Sequence, residues 1–253
     1  MEHQNTTERD FTEKLTRIFE DNGFGRYVTA QTAHLFYLLK NELLAFNAHT
    51  NLTAITDDDG ILLKHFLDSV TAAPLLPMGA AVLDVGTGGG FPALPLAIVR
   101  PDLSVTAMDS TAKKLAFSEK MREVLGLSGI VTLCARAEEA AHGPMREQFD
   151  AVTARAVAAL PVLAEWCVPF VRPGGIFIAM KSKGAEEEKA AAARAVKLLG
   201  GAFEGETQLS LRGLPAADGT REEQERVLLL IRKTGKTPRE YPRENRKIKK
   251  SPL

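Results

Sequence analysis

The chain has 253 residues, 45% of them apolar and 25% charged, with 32 Lys and Arg against 32 Asp and Glu. These values exclude wholesale disorder, and the length is ample for a packed core in one large domain or two small ones. The longest apolar-rich run, residues 156–171, is broken by Pro161 and Glu165, so no membrane-spanning helix is expected. Residues 1–5 lack a basic region followed by an apolar one, so no secretory signal is expected. The two cysteines, Cys134 and Cys167, are too few for a disulfide framework or zinc cluster, and no His-x-x-x-His spacing occurs. The expectation is a cytoplasmic protein without a metal site. Charge is unevenly spread: residues 232–253 hold nine Lys or Arg and two Glu, leaving an acidic body. Such a tail reads either as a polyanion contact or as a solvated end.

In chain order, residues 1–78 read as a helical extension. Leu35, Leu39, Leu43 and Phe46 fall at helical spacing. A second helix is predicted over 61–73, with Asp57, Asp58 or Asp59 as N-cap, and Pro74 and Pro77 close the zone. From residue 79 to 235 strands alternate with helices. Strands are predicted at 81–85, 103–109, 129–134, 149–153, 176–180 and 227–231. Helices are predicted at 94–99, 111–125 (capped by Thr111), 161–171 and 185–199. This alternation predicts an α/β fold with a mostly parallel, doubly wound sheet. Residues 236–253 form the basic carboxy-terminal tail.

The sharpest motif runs from Asp84 through Gly86, Gly88 and Gly90 to Phe91 and Pro92, between the first strand and its helix. Glycines there permit a tight turn and close backbone approach to a ligand. Gly88, Gly90 and Ala93 fit the looser dinucleotide pattern, which admits a nicotinamide-dependent oxidoreductase, but that register leaves Asp84 unexplained. An acid followed by G-x-G-x-G instead resembles the first motif of class I methyltransferases, whose cofactor is S-adenosylmethionine. In that reading Asp84 suits the cationic methionine end. Asp109, ending the second strand, suits the two ribose hydroxyls in either case. A backbone amide near Ala137 would meet adenine and Glu138 would accept from its amino group, although Glu138 and Glu139 also read simply as acids opening a helix. Arg155, after the fourth strand, sits at the ligand crevice, where it would hold a cofactor carboxylate or an RNA phosphate. Lys181 reads as an RNA contact or a solvated lysine. His65, Asp68 and Ser69 share one helix face and suggest a polar seam. No Asn-Pro-Pro-Tyr type signature or Pro-Cys pair follows the fourth strand, so neither exocyclic-nitrogen nor cysteine-dependent carbon methylation is suggested.

Several stretches taken together closely resemble the ribosomal RNA small-subunit methyltransferase G family, also called glucose-inhibited division protein B. They are Asn51-Leu52-Thr53, Lys64 to Ser69, Asp84 to Pro92, Asp109-Ser110 with Lys113, Lys114 and Phe117, Ala154-Arg155-Ala156, and Tyr241-Pro242-Arg243. The likeness spans roughly residues 35–233 and departs at Phe46-Asn47, where Trp-Asn is expected. It implies a Rossmann-like class I methyltransferase fold. It also implies methyl transfer from S-adenosylmethionine to N7 of a guanosine in small-subunit (16S) ribosomal RNA. The implied cofactor contacts are Gly86, Phe91, Ala137, Glu138 and Arg155; catalysis is expected from proximity, with no residue certain to be catalytic and Arg155 the candidate. Lys181, Arg243 and Lys247 are the candidate RNA contacts. A monomer acting on ribosomal RNA or a ribosomal subunit is the simplest expectation, and a non-catalytic RNA-binding module is the remaining alternative.

Overall fold

The computed structural model describes residues 7–182 and 184–253; the stretch 1–5 read above for a signal lies outside them. Seven strands form one sheet: β1 (Ala81–Val85), β2 (Ser104–Asp109), β3 (Ile130–Cys134), β4 (Phe149–Arg155), β5 (Val171–Lys181), β6 (Gly201–Pro215) and β7 (Arg221–Lys233), in the order β3-β2-β1-β4-β5-β7-β6. The first five are parallel, and β7 runs antiparallel between β5 and β6. The strand order reverses between β1 and β4, which opens a crevice beyond their carboxyl ends.

Alternation along the strands divides the core in two. Val82, Ala151 and Ile178 face one layer, whereas Leu83, Val152 and Phe177 face the other. The first layer holds α1 (Glu8–Asp21), α2 (Ala30–Thr50), α5 (Ala93–Val99) and α6 (Ala112–Val124). It also holds one continuous helix in which α3 (Asp58–Gly60) passes through a π-helical stretch, Ile61–Leu67, into α4 (Asp68–Val70). The second layer holds α8 (Leu160–Cys167) and α9 (Ala185–Leu198), with the short α7 (Ala137–Ala140) and α10 (Asn245–Lys250) at its rim. The amino-terminal helices thus share a core with the sheet. Among the described residues no helix is long and apolar enough to cross a membrane.

Four details depart from the expectations. The buried face of α2 is Ala33, Phe36, Leu39, Lys40 and Leu43, because Phe36 packs between Phe19 and Phe66, with ring centroids at 5.9 and 4.8 Å. Leu35 and Phe46 are only partly covered. Lys40 is buried because its Nζ lies over the Phe11 and Tyr37 rings, 5.4 Å from each centroid, and meets Asp58 at 3.2 Å. Thr111 does not cap α6 with its side chain; the Asp109 carboxylate accepts the Thr111 N–H instead, at 2.8 Å. Strand β6 is absent from the predicted elements, and β7 is longer than predicted. Nor is the tail a solvated end. Residues 236–250 lie along the second layer, tied by Arg146 to the carbonyls of Thr237, Pro238 and Tyr241 and by His142 to that of Pro242.

Candidate functional site

The bend after β1 is built around Asp109. Its Oδ2 accepts the Gly88 N–H at 3.0 Å, while Gly86 and Thr87 donate their N–H groups to the Met108 carbonyl. Gly86, Gly88 and Gly90 all have positive φ, which side chains with a Cβ resist. A cis Phe91–Pro92 peptide leads into α5. The loop amides therefore turn inward: Gly88 onto Asp109 and Gly90 onto the Thr87 carbonyl at 3.0 Å. A pyrophosphate would need them turned outward, so the dinucleotide register on Gly88, Gly90 and Ala93 is not realised.

Two cavities flank the bend. The narrower, about 350 Å³, lies beyond β1, β2 and β3 and is lined by Gly86, Asp109, Ala137, Glu138, Trp166 and Asn245 among others. Asp109 retains half its acceptor capacity there, since one hydrogen bond occupies each carboxylate oxygen. Glu138 opens α7 with its side chain almost wholly covered and the Arg136 guanidinium 3.9 Å away. The wider cavity, about 640 Å³, lies between the bend and the π-helical stretch. Gly86, Lys114 and Ala156 line both. Ala156 adopts φ +55, and the adjacent Val157 covers Gly86 so closely that a Cβ there would fall 2.8 Å from a valine methyl.

The wider cavity is cationic. Lys64, Lys114, Arg155, Lys181 and Arg226 face it, against Asp68 and Glu188. Both acids are engaged: Asp68 accepts from Arg155 at 3.0 Å and from Arg226 at 2.9 Å, and Glu188 pairs with Lys181 at 2.7 Å. Arg155 also donates to the Lys64 carbonyl, at 2.8 Å, so one guanidinium ties β4 to the amino-terminal helices. His65 stacks on Phe91 with centroids 4.7 Å apart and planes 20° from parallel, and its Nε2 meets Thr53 Oγ1 at 2.9 Å. Burial and, secondarily, the Arg155 charge lower its pKa to about 4.

The expected site residues therefore separate. Asp109, Ala137 and Glu138 line the narrow cavity, Gly88, Phe91, Arg155 and Lys181 the wide one, and Gly86 both. Gly90 is filled in beneath the loop, where a Cβ would collide with Leu94. Asp84 lines neither cavity: it is fully buried, its Oδ1 accepts from Thr153 at 2.9 Å, and burial raises its pKa to about 6. In this structure its carboxylate braces the β1–β4 seam. Arg243 spends its guanidinium on the buried Glu165, at 2.8 Å, and Lys181 spends its ammonium on Glu188 and the Ala158 carbonyl. Lys247 is largely exposed, with Glu244 at 4.0 Å. Sequence reasoning missed Trp166, Asn245 and Arg226, whose places depend on contacts distant in the chain.

Residues 32–210 match the family model for rRNA small subunit methyltransferase G (GidB). A ribosomal RNA small subunit methyltransferase G from Halalkalibacterium halodurans is 47% identical over 247 residues, covering 96% of this chain and 99% of that protein. The protein of the same name from Acetivibrio thermocellus is 42% identical over 234 residues, 92% of this chain and 93% of that one. Among solved structures, Pyrococcus horikoshii TYW2 in complex with MeSAdo superposes with a TM-score of 0.52 at 16% identity, covering 66% of this chain and 62% of that one. A precorrin-6y C5,15-methyltransferase from Geobacter metallireducens gives 0.50 at 14% identity, covering 65% and 86%. These two likenesses establish a shared Rossmann-like fold. With a family model spanning most of its length and close relatives matched nearly end to end, the chain belongs to the rRNA small subunit methyltransferase G family.

Proposed function

We propose that this chain transfers a methyl group from S-adenosylmethionine to N7 of a guanosine in small-subunit ribosomal RNA. The observation that carries the reading is the pair of cavities meeting at Gly86: one narrow and lined by acceptors suited to an adenosine, the other wide and cationic. The residues fit the cofactor. Asp109 keeps free acceptor sites for ribose hydroxyls, Ala137 and Glu138 meet the base, and Gly86, with Val157 packed against it, lines both cavities. When bound, S-adenosylmethionine supplies an electrophilic methyl on a sulfonium.

The protein's own tasks are binding and alignment. N7 of guanine carries no proton, so no general base is required. The wide cavity accords with that: Asp68 and Glu188 are both held in ion pairs. The His65–Phe91 stack offers a flat surface for a purine. Because His65 is neutral at pH 7, it does not repel the positive charge that the guanine ring acquires. Lys114 supplies positive charge for RNA phosphates at the cavity rim, where Lys64 and Arg226 are paired with Glu222 and Asp68, and Lys247 extends it across the tail. Alignment of two reactants is worth about 7–11 kcal/mol in well-ordered models and supplies much of the acceleration without acid–base chemistry. One chain completes both cavities, so we take the monomer as the working unit, acting in the cytoplasm on ribosomal RNA or a ribosomal subunit. The test is incubation with S-adenosylmethionine and unmodified small subunits or their RNA, followed by nucleoside mass spectrometry. The expected product is 7-methylguanosine; a different methylated nucleoside, or none, overturns the assignment.

A further inference from the structure

We infer that the carboxy-terminal segment forms part of the adenine subsite, with Asn245 as a specificity-determining residue for the cofactor. The inference rests on the S-adenosylmethionine reading above and deepens it. Two residues that line the narrow cavity each carry a buried polar atom without a hydrogen-bond partner: Asn245 with Oδ1 and Trp166 with Nε1. Trp166 is 8% exposed, and Lys249, also on α10, lies over its indole ring at 5.5 Å. A buried acceptor and a buried donor left unmade each cost about 1–3 kcal/mol, so their joint presence on one cavity wall points to a ligand that completes them.

Adenine has the matching chemistry. Its exocyclic amino group carries two N–H donors, and its ring nitrogens are acceptors. Glu138 and Asn245 supply two acceptors on this cavity, and the Trp166 N–H supplies a donor for a ring nitrogen. A 6-oxo purine reverses the pattern, turning an acceptor toward both Glu138 and Asn245. The tail is also fixed firmly enough to serve as a wall. The buried carboxylate of Glu165 accepts the Arg243 backbone N–H as well as its guanidinium, and Arg146 grips three tail carbonyls.

The experiment is calorimetric titration of the full chain with S-adenosylhomocysteine and with its 6-oxo analogue, S-inosylhomocysteine. Wild type should bind the adenosyl compound and reject the inosyl one. Asn245→Leu should weaken S-adenosylhomocysteine about tenfold, the scale of one hydrogen bond to a buried group, and narrow the ratio between the two ligands. Trp166→Phe, which lies outside the tail and removes the N–H, should weaken S-adenosylhomocysteine several-fold. A merely structural role for Asn245 would weaken both ligands equally and leave the ratio intact. That result, or an unchanged affinity in both variants, overturns the inference while the cofactor reading stands. If wild type binds neither ligand, both readings fall.

Discussion

Removing the Arg243 guanidinium strands a carboxylate inside the protein. The Glu165 side chain has no solvent exposure, and it accepts Arg243 Nε at 2.9 Å, Nη2 at 2.8 Å and the backbone N–H at 2.8 Å. Arg243→Ala would leave only the last of these. Breaking a buried ion pair from one side costs about 3–5 kcal/mol, because the remaining charge keeps its desolvation penalty and loses its partner. The Arg243 side chain is 25% exposed, so solvent screens part of the pair and the lower end, about 3 kcal/mol, is expected. In urea this should lower the unfolding midpoint by roughly 1 M. The double variant Glu165→Gln with Arg243→Ala removes the stranded charge and should be more stable than Arg243→Ala alone. Limited proteolysis adds a local readout, since a released tail should be cut between residues 236 and 250 before the body unfolds. A loss below about 0.5 kcal/mol in Arg243→Ala, or a double variant no more stable than the single, would refute the clasp as an anchor of the tail.

Gly86→Ala should keep the fold and lose cofactor affinity. The added carbon would fall 2.8 and 2.9 Å from the Val157 methyls at φ +74, a strain of about 1–2 kcal/mol before Val157, which lines the narrow cavity, is displaced. Calorimetry with S-adenosylhomocysteine reads it, and an unchanged Kd would contradict it. Asp84→Asn should flatten the dependence of stability on pH. Burial raises the Asp84 pKa from 3.8 to about 6, so its contribution is greatest below about pH 4, falls as pH rises to about 6 and is constant above. That gap corresponds to about 3 kcal/mol, and urea midpoints at pH 4.5 and 7 with the same slope in wild type and variant would refute it. Arg155→Lys should lower kcat/KM for RNA at least about tenfold with little loss of stability, because an ammonium on a shorter, non-planar stem does not reach the place where Arg155 Nη1 donates to both Asp68 and the Lys64 carbonyl. Full activity in that variant would show that the Arg155 geometry is dispensable.

Local pattern carried much of the fold. Strands β1 to β4 and helices α5, α6 and α9 appear within a few residues of their predicted bounds, because short apolar runs and glycine stops encode them directly. Strand β6 went unread because charged and polar residues crowd it; its alternation of covered and exposed positions emerges only against β7. The bend and the Asp109 position were legible from motif spacing, whereas Glu138 read as an acid opening a helix until the family resemblance singled it out. Asp84 was legible as important but not as buried support, since its partner Thr153 lies 69 residues away. The tail was the least legible part. Its charge suggested RNA or solvent, whereas Glu165, Arg146 and Glu147 hold it from distant positions. Composition records those charges but not their pairing.

The proposed site lays the adenosyl donor across the bend between β1 and α5, with its base in the narrow cavity and its reactive end in the wide one. A crystal structure of the chain with S-adenosylhomocysteine would show this placement. The ribose hydroxyls should lie on Asp109, the adenine beside Glu138 and the homocysteine past Gly86 toward Arg155. Density for the ligand elsewhere, or a passage at Gly86 closed by Val157 with the ligand excluded, would contradict it.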